Sequence, residues 1–318
     1  MLRGCNQIFA MSINKKVYEI LKSDYIYPEL LKEVVSPPKK LYAIGNISLL
    51  NMNSIAIVGS RNSSEYGETI TQKISKDLAK EDIVIISGMA LGIDSVAHKA
   101  CIENGGKTIA VLGSGFNHIY PKENEKLFLD IIQHHGLVLS EFPLDSPVQM
   151  KNFPKRNRII SGLSLGVLVI EAAYRSGTSI TAKLARAQGK KVFCIPNSIG
   201  NKNSYGTIDL VRKGAMLVRN AEDILSELNL KSNLSKRSTM GDKLKSKKSS
   251  KQLRILDENS KKIVDCIAQN KGLDAEKICI KTNLDIVTVN QLLTILEIDE
   301  VIVDTGKNGY DLEEAYYE

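Results

Sequence analysis

A doubly wound α/β fold on a mostly parallel sheet, followed by a small C-terminal winged-helix domain, is what this sequence predicts. Three observations carry that expectation. Between residues 53 and 228, short Val/Ile/Leu runs bounded by Gly, Ser or Asn alternate with amphipathic stretches. Those runs are continuously apolar, the pattern of parallel strands covered on both faces. Beyond residue 254, three short helical patterns lead into two apolar strand-like tails.

The elements follow in order. Residues 1–52 contain one helical stretch and the Pro37-Pro38 turn and read as a helical lead-in. Ser54 to Gly59 is the first strand of the sheet, and Ser64 to Lys80 is its helix. Ile83 to Ser87, Thr108 to Leu112, Leu137 to Ser140, Gly166 to Ile170 and Lys191 to Ile195 are the next five strands. Helices are expected over Gly92 to Asn104, Glu123 to His134, Arg156 to Leu165 and Ser179 to Gln188. Thr207 to Lys213 and the short run Ala215 to Val218 close this Rossmann-like domain, residues 53–228. Residues 229–254 are rich in Lys and Ser and read as a flexible linker. In residues 255–318, helical patterns at Ser260 to Asn270, Asp274 to Lys281 and Asp285 to Ile298 precede a hairpin-like Val301 to Tyr310.

Composition narrows the class. With 318 residues, 43% hydrophobic and 25% charged, the chain has an ordinary globular make-up and enough apolar material for a full core. No run approaches the length of a membrane span, and Met1 to Lys16 has no signal-peptide pattern. The five cysteines are scattered without a C-x-x-C, and the four histidines lack metal-site spacing. A reducing, cytoplasmic setting without a cofactor is expected.

The formal net charge of +7 divides unevenly. Residues 1–228 hold 28 basic and 21 acidic residues, the linker holds 9 and 1, and residues 255–318 hold 6 and 14. The excess in the core gathers between Lys151 and Lys191, with nine basic residues against Glu171 alone. The would-be recognition helix, Asp285 to Ile298, has no Lys or Arg. Phosphate would be repelled by such a domain, so it is expected to bind protein, or to contact the basic core or linker, and not duplex DNA.

In a parallel doubly wound sheet, ligands bind beyond the carboxyl ends of the strands. Those ends here are Gly59-Ser60-Arg61, Ser87-Gly88-Met89 with Gly92-Ile93-Asp94, Gly113-Ser114-Gly115, and Glu171 to Thr178. Glycine lets backbone approach a ligand, and the free N–H groups of a helix start favour an anion. Neither G-x-G-x-x-G nor the P-loop pattern is present, which weighs against hydride transfer and ATP hydrolysis. In Phe153-Pro154-Lys155-Arg156-Asn157-Arg158, guanidinium forks suit phosphate oxygens and the ring suits an unpaired base. Asp94 and His98 lie four apart, as a hydrogen-bonded pair would, and Glu171 reads as a structural partner of the arginines. No acid/base pair for catalysis stands out.

The ordered set Ile57-Val-Gly-Ser-Arg61, Ser87 to Asp94 with His98, Thr108 to Gly113, Tyr120-Pro121, Ser140-Glu141, Phe153 to Gly162 and Ser176 to Ala182 resembles DNA processing protein A, the Smf family. The resemblance covers about Tyr25 to Leu225. It implies a non-catalytic, base-independent binder of single-stranded DNA that dimerises and loads RecA recombinase during natural transformation. By motif position it places Ser60, Arg61, Ser87, Gly88, Met89, Lys151, Phe153, Lys155, Arg156, Asn157 and Arg158 at the DNA. Three places depart from the family pattern. Met150 stands where a basic residue is usual, Ile195-Pro196-Asn197 replaces Val-Pro-Gly, and Gly206-Thr207-Ile208 replaces Gly-Thr-Asn. The rival readings are a nucleotide phosphoribohydrolase and a nucleotide sensor on a related sheet. The former needs a Pro-Gly-Gly-x-Gly-Thr loop, which residues 196–209 match poorly.

Overall fold

The computed structural model describes residues 16–173, 176–230, 258–270, 272–298, 301–305 and 309–312. The chain divides into two compact units, up to residue 238 and from 239 onward. Most of the expected linker, and Arg175 of the basic stretch, lie outside the described residues.

Nine strands form the sheet of the first unit, in the order β1-β2-β6-β5-β4-β3-β7-β8-β9. They are β1 (Val17–Leu21), β2 (Lys40–Gly45), β3 (Ser54–Val58), β4 (Val84–Ser87), β5 (Thr108–Leu112), β6 (Leu137–Ser140), β7 (Gly166–Val169), β8 (Lys191–Cys194) and β9 (Met216–Leu217). From β6 through β9 every pairing is parallel, while β1–β2 and β2–β6 are antiparallel. The chain starts its parallel sheet at β3, winds outward through β4, β5 and β6, then returns to the other side of β3 with β7. The switch point therefore lies between β3 and β7.

Strand side chains alternate between faces, and both faces are apolar. Ala56, Val58, Val84, Ile86, Ile109, Val111, Val167 and Val169 face one layer of helices. That layer is α1 (Glu29–Lys32), α5 (Asn152–Leu163), α6 (Gly177–Ala187) and α7 (Tyr205–Arg212), through Leu31, Ile159, Ala182 and Leu210. Ile55, Ile57, Ile85 and Leu168 face α2 (Glu65–Lys80), α3 (Ile93–Glu103) and α8 (Ala221–Glu227). Toward the β6 edge, Leu112 and Val138 pack on α4 (Glu125–Gln133) through Phe128 and Ile131.

Two expectations are corrected. Residues 1–52 were expected to be a helical lead-in, but within residues 16–52 the sequence adds an antiparallel pair to the sheet edge. Leu41 to Ile44 is a fully buried apolar run, which a strand against β6 accommodates. The helix expected from Arg156 begins earlier, at Asn152. Pro154 sits in its first turn, where no backbone donor is needed and proline is tolerated.

The second unit holds α9 (Glu258–Gln269), α10 (Ala275–Thr282) and α11 (Ile286–Ile298), then the antiparallel pair β10 (Ile302–Asp304) and β11 (Tyr310–Leu312). Its own core joins Ile263, Ile267, Ile278, Val289, Leu293 and Ile302. Asp274 caps α10 by accepting the Lys277 N–H, and Asn283 ends it in the left-handed region at φ 56°.

Candidate nucleic-acid interface

A cavity of about 550 Å³ opens at the switch point. Its rim comes from the turn after β3 (Gly59 to Asn62), the turn after β4 (Ala90, Asp94), the segment after β7 (Ala173, Ser176 to Thr178) and the start of α5 (Met150, Phe153, Arg156, Asn157). Each turn is tightly built. Gly92, at φ +72°, lies against the Ser60 carbonyl, where a Cβ would stand 2.3 Å from the oxygen. Thr178 donates its hydroxyl to the Gly59 carbonyl at 2.9 Å, joining the β7 segment to the β3 turn.

Helix α6 begins at this rim. Ser176 is its N-cap, accepting the Ser179 N–H, and no acid occupies the first turn. The first N–H groups of a helix have no helical acceptor, so those of Gly177 and Thr178 offer an anion two donors and the positive end of the helix dipole. Arg61 stands on the opposite turn. It is exposed, and among the described residues its side chain forms neither an ion pair nor a hydrogen bond. Its guanidinium lies 5.8 Å from the centre of the Phe153 ring.

The other sequence-predicted residues divide into groups. Ser60, Arg61, Phe153, Arg156 and Asn157 line the cavity together. Ser87, Gly88 and Met89 are buried beside it. The Ser87 hydroxyl donates to the Ile57 carbonyl, and Met89 takes φ +55° with its side chain wholly enclosed. That turn shapes the wall and offers no side chain to a ligand. Lys151, at the N-cap of α5, is exposed.

Arg156 was expected as a phosphate fork, but it is buried. Its Nη1 donates to the Gly88 carbonyl at 2.7 Å and to the Val111 carbonyl, and its Nε donates to Asn157 Oδ1 at 3.2 Å. Burial brings its pKa down to about 10, so the guanidinium stays charged at neutral pH. Asp94 is buried beside it and accepts the Gly88 N–H at 3.0 Å. Burial raises the Asp94 pKa, and the Arg156 charge opposes that rise. There is no room for anything larger than glycine between the two, since a Cβ on Gly88 would stand 2.8 Å from both Arg156 Cζ and Asp94 Oδ2.

Arg158 points elsewhere. It bonds Glu141 Oε1 at 2.6 Å and borders, with Lys155, a separate open cavity. Residues two apart on a helix are about 200° apart, so Arg156 and Arg158 cannot share one face. That periodicity was the available signal.

Asp94 and His98 do not pair. His98 Nδ1 meets Thr108 Oγ1 at 2.6 Å, and burial together with the Arg156 charge lowers its pKa to about 3. Glu171 does not partner the arginines either. It accepts from the Ser64 N–H at 3.0 Å, the Ser64 hydroxyl, Asn197 Nδ2 at 3.1 Å and Asn203 Nδ2 at 3.4 Å. A carboxylate so surrounded by donors fixes the end of β7 to the start of α2. Asn197, a departure from the family pattern, is one of its donors. Sequence reasoning missed Asn203, which lines the cavity and binds the Asn62 carbonyl at 2.9 Å from 141 residues away. No short-range signal marks it. Among the described residues no cluster of three metal-ligating side chains occurs, and no helix is long and apolar enough to cross a membrane.

Comparison with known proteins agrees with this fold. Protein Smf of Escherichia coli is 46% identical over 202 residues, 64% of this chain and 54% of the relative. DNA processing protein DprA of Bacillus subtilis is 43% identical over 203 residues, 64% of this chain and 68% of the relative. The chain thus spans little more than half the length of the E. coli protein. The crystal structure of DNA processing protein A from Streptococcus pneumoniae superposes with a TM-score of 0.64 at 43% identity, covering 67% of this chain and 74% of that one. The structure of DNA processing protein A from Helicobacter pylori, described for its single-stranded DNA binding mode, superposes with a TM-score of 0.61 at 31% identity, covering 68% and 97%. The family model for DNA recombination-mediator protein A matches residues 19–229, and the chain belongs to that family.

Proposed function

We propose that this chain binds single-stranded DNA without base specificity in the cavity between β3 and β7, and that it does so without catalysing a reaction. The observation that carries this reading is the convergence of an unpaired Arg61, the Phe153 ring and the donor-rich start of α6 on one rim. A phosphate fits between the cation and the helix start, and an unpaired base has an aromatic neighbour. The H. pylori relative, whose structure concerns single-stranded DNA binding, supports the same ligand class.

A phosphoribohydrolase needs a free acid or base beside the bound sugar. Here the cavity's acid, Asp94, is held by the backbone N–H of Gly88 beneath Arg156. Homodimerisation and delivery of the strand to RecA recombinase in the cytoplasm complete the proposal and rest on family membership.

The test is titration of labelled oligo-dT and of a matched duplex across salt concentrations. The expected result is preference for the single strand and a negative slope of log affinity against log salt. Equal affinity for duplex, or tight salt-independent binding of a mononucleotide in its place, overturns the reading.

A further inference from the structure

A second, smaller cavity of about 90 Å³ adjoins the first. Arg61, Ala90, Phe153 and Arg156 border both, so the two cavities share these four residues. The far wall of the smaller one is Tyr120, Pro121 and Leu91.

The two aromatic rings differ in what they can offer. Phe153 is 9% exposed. The Arg61 and Arg156 guanidinium groups flank it at 5.8 and 5.9 Å, and Gly113 lies so close that a Cβ there would stand 2.8 Å from the ring. Tyr120 is 42% exposed and sits with its ring centre 5.5 Å from that of Phe153, tilted by 44°. Its hydroxyl makes no hydrogen bond among the described residues. Leu91, which also lines this hollow, is 41% exposed, so two of its apolar side chains remain in water beside an unpaired cation.

Tyr120 is also held firmly. Its neighbours Ile119 and Pro121 are buried. Asn124 donates to the Met89 carbonyl at 2.9 Å and to Ser95 Oγ at 2.8 Å, fastening the segment after Tyr120 to the turn after β4. A platform fixed before binding loses little conformational entropy when a ligand stacks on it.

We propose that Tyr120 is a second base-stacking platform, and that the site takes two successive nucleotides, one in each cavity, with Arg61 gripping the phosphate that joins them. This rests on the single-strand reading above. A hollow of 90 Å³ holds no more than one base, and the larger cavity takes the neighbouring nucleotide beside Phe153 and the start of α6. Stacking tolerates any base, which suits a binder that ignores sequence.

The chain contains no tryptophan, so Tyr120→Trp installs a unique fluorophore at the proposed platform. Titration of this full-length variant with oligo-dT should quench its emission in step with binding. Tyr120→Ala should weaken oligo-dT binding by about tenfold, Tyr120→Phe should recover most of the loss, and Tyr120→Leu, which keeps apolar contact with Phe153, should not. On an oligonucleotide of abasic sites, wild type and Tyr120→Ala should bind alike. Unchanged Tyr120→Trp emission at saturation, or wild-type affinity in Tyr120→Ala while Arg61→Ala is weakened, overturns the second platform and leaves the pocket standing. Wild-type affinity in both variants overturns the single-strand reading as well.

Discussion

The two units of this chain present opposite faces of one problem, how a protein meets phosphate. The helix that a winged-helix domain would lay in a groove, α11, has no Lys or Arg, exposes Ile286, Val287 and Ile295, and belongs to a segment with 14 acids against 6 bases. The sheet unit instead places an unpaired arginine, an aromatic ring and a helix start at one switch point. Element order suggests DNA for the terminal unit and charge denies it. For the sheet unit, charge and backbone donors together suit an anion, and only a strand with bare bases would profit from the ring.

The largest expected effect concerns what holds that site together. Arg156→Met leaves the Gly88 and Val111 carbonyls without their donor and removes the cation beside buried Asp94. Loss of one partner from a buried charged cluster costs about 3–5 kcal/mol, so the variant should melt far below wild type in thermal unfolding. A melting temperature within a degree or two of wild type contradicts the structural role and returns Arg156 to the ligand.

Next is Arg61→Ala. Removing an exposed, unpaired cation should leave stability unchanged, since no contact beyond the Phe153 ring is lost. Single-strand affinity should fall by roughly tenfold to a hundredfold, the worth of a charge-assisted hydrogen bond. These two arginines therefore separate cleanly, one read by calorimetry and the other by binding.

A smaller effect is set by His98. Its pKa falls to about 3 in the folded protein, so between pH 6.5 and pH 3 the unfolded chain binds a proton that the native one does not. Stability from this group is complete above pH 6.5 and is lost as pH falls, by up to about 1.4 kcal/mol per pH unit. His98→Gln should show a shallower loss of stability than wild type between pH 6 and pH 4 in urea unfolding. Parallel slopes would mean that His98 becomes protonated within the fold.

Much of this fold was legible in the sequence because β3 to β8 are buried on both faces, save Lys191 at the start of β8, so each reads as a mostly apolar run. The edge pair β1–β2 was not, because β1 is half exposed and mixes Val17 and Ile20 with Tyr18 and Glu19. In the site, Arg61 and Phe153 were legible from their place beyond strand ends. The fate of the basic stretch from Lys151 to Lys191 was not. Its charges are close in sequence, yet Arg156 is buried, Arg158 pairs with Glu141 and Lys191 pairs with Glu227, and none of these three is free at the cavity. A count along the chain cannot tell which arginine a buried carbonyl will claim.

The contrast between the units is tested most directly by crossing two changes, deletion of residues 255–318 and Arg61→Glu, and measuring oligo-dT affinity at one salt concentration. Each unit has its own apolar core, so the deletion leaves the sheet unit's packing intact. The expected result is affinity within about twofold of the full chain for the deletion alone, and loss of binding with Arg61→Glu in both backgrounds. Binding that survives Arg61→Glu but disappears on deletion would contradict the account and move the DNA to the terminal unit.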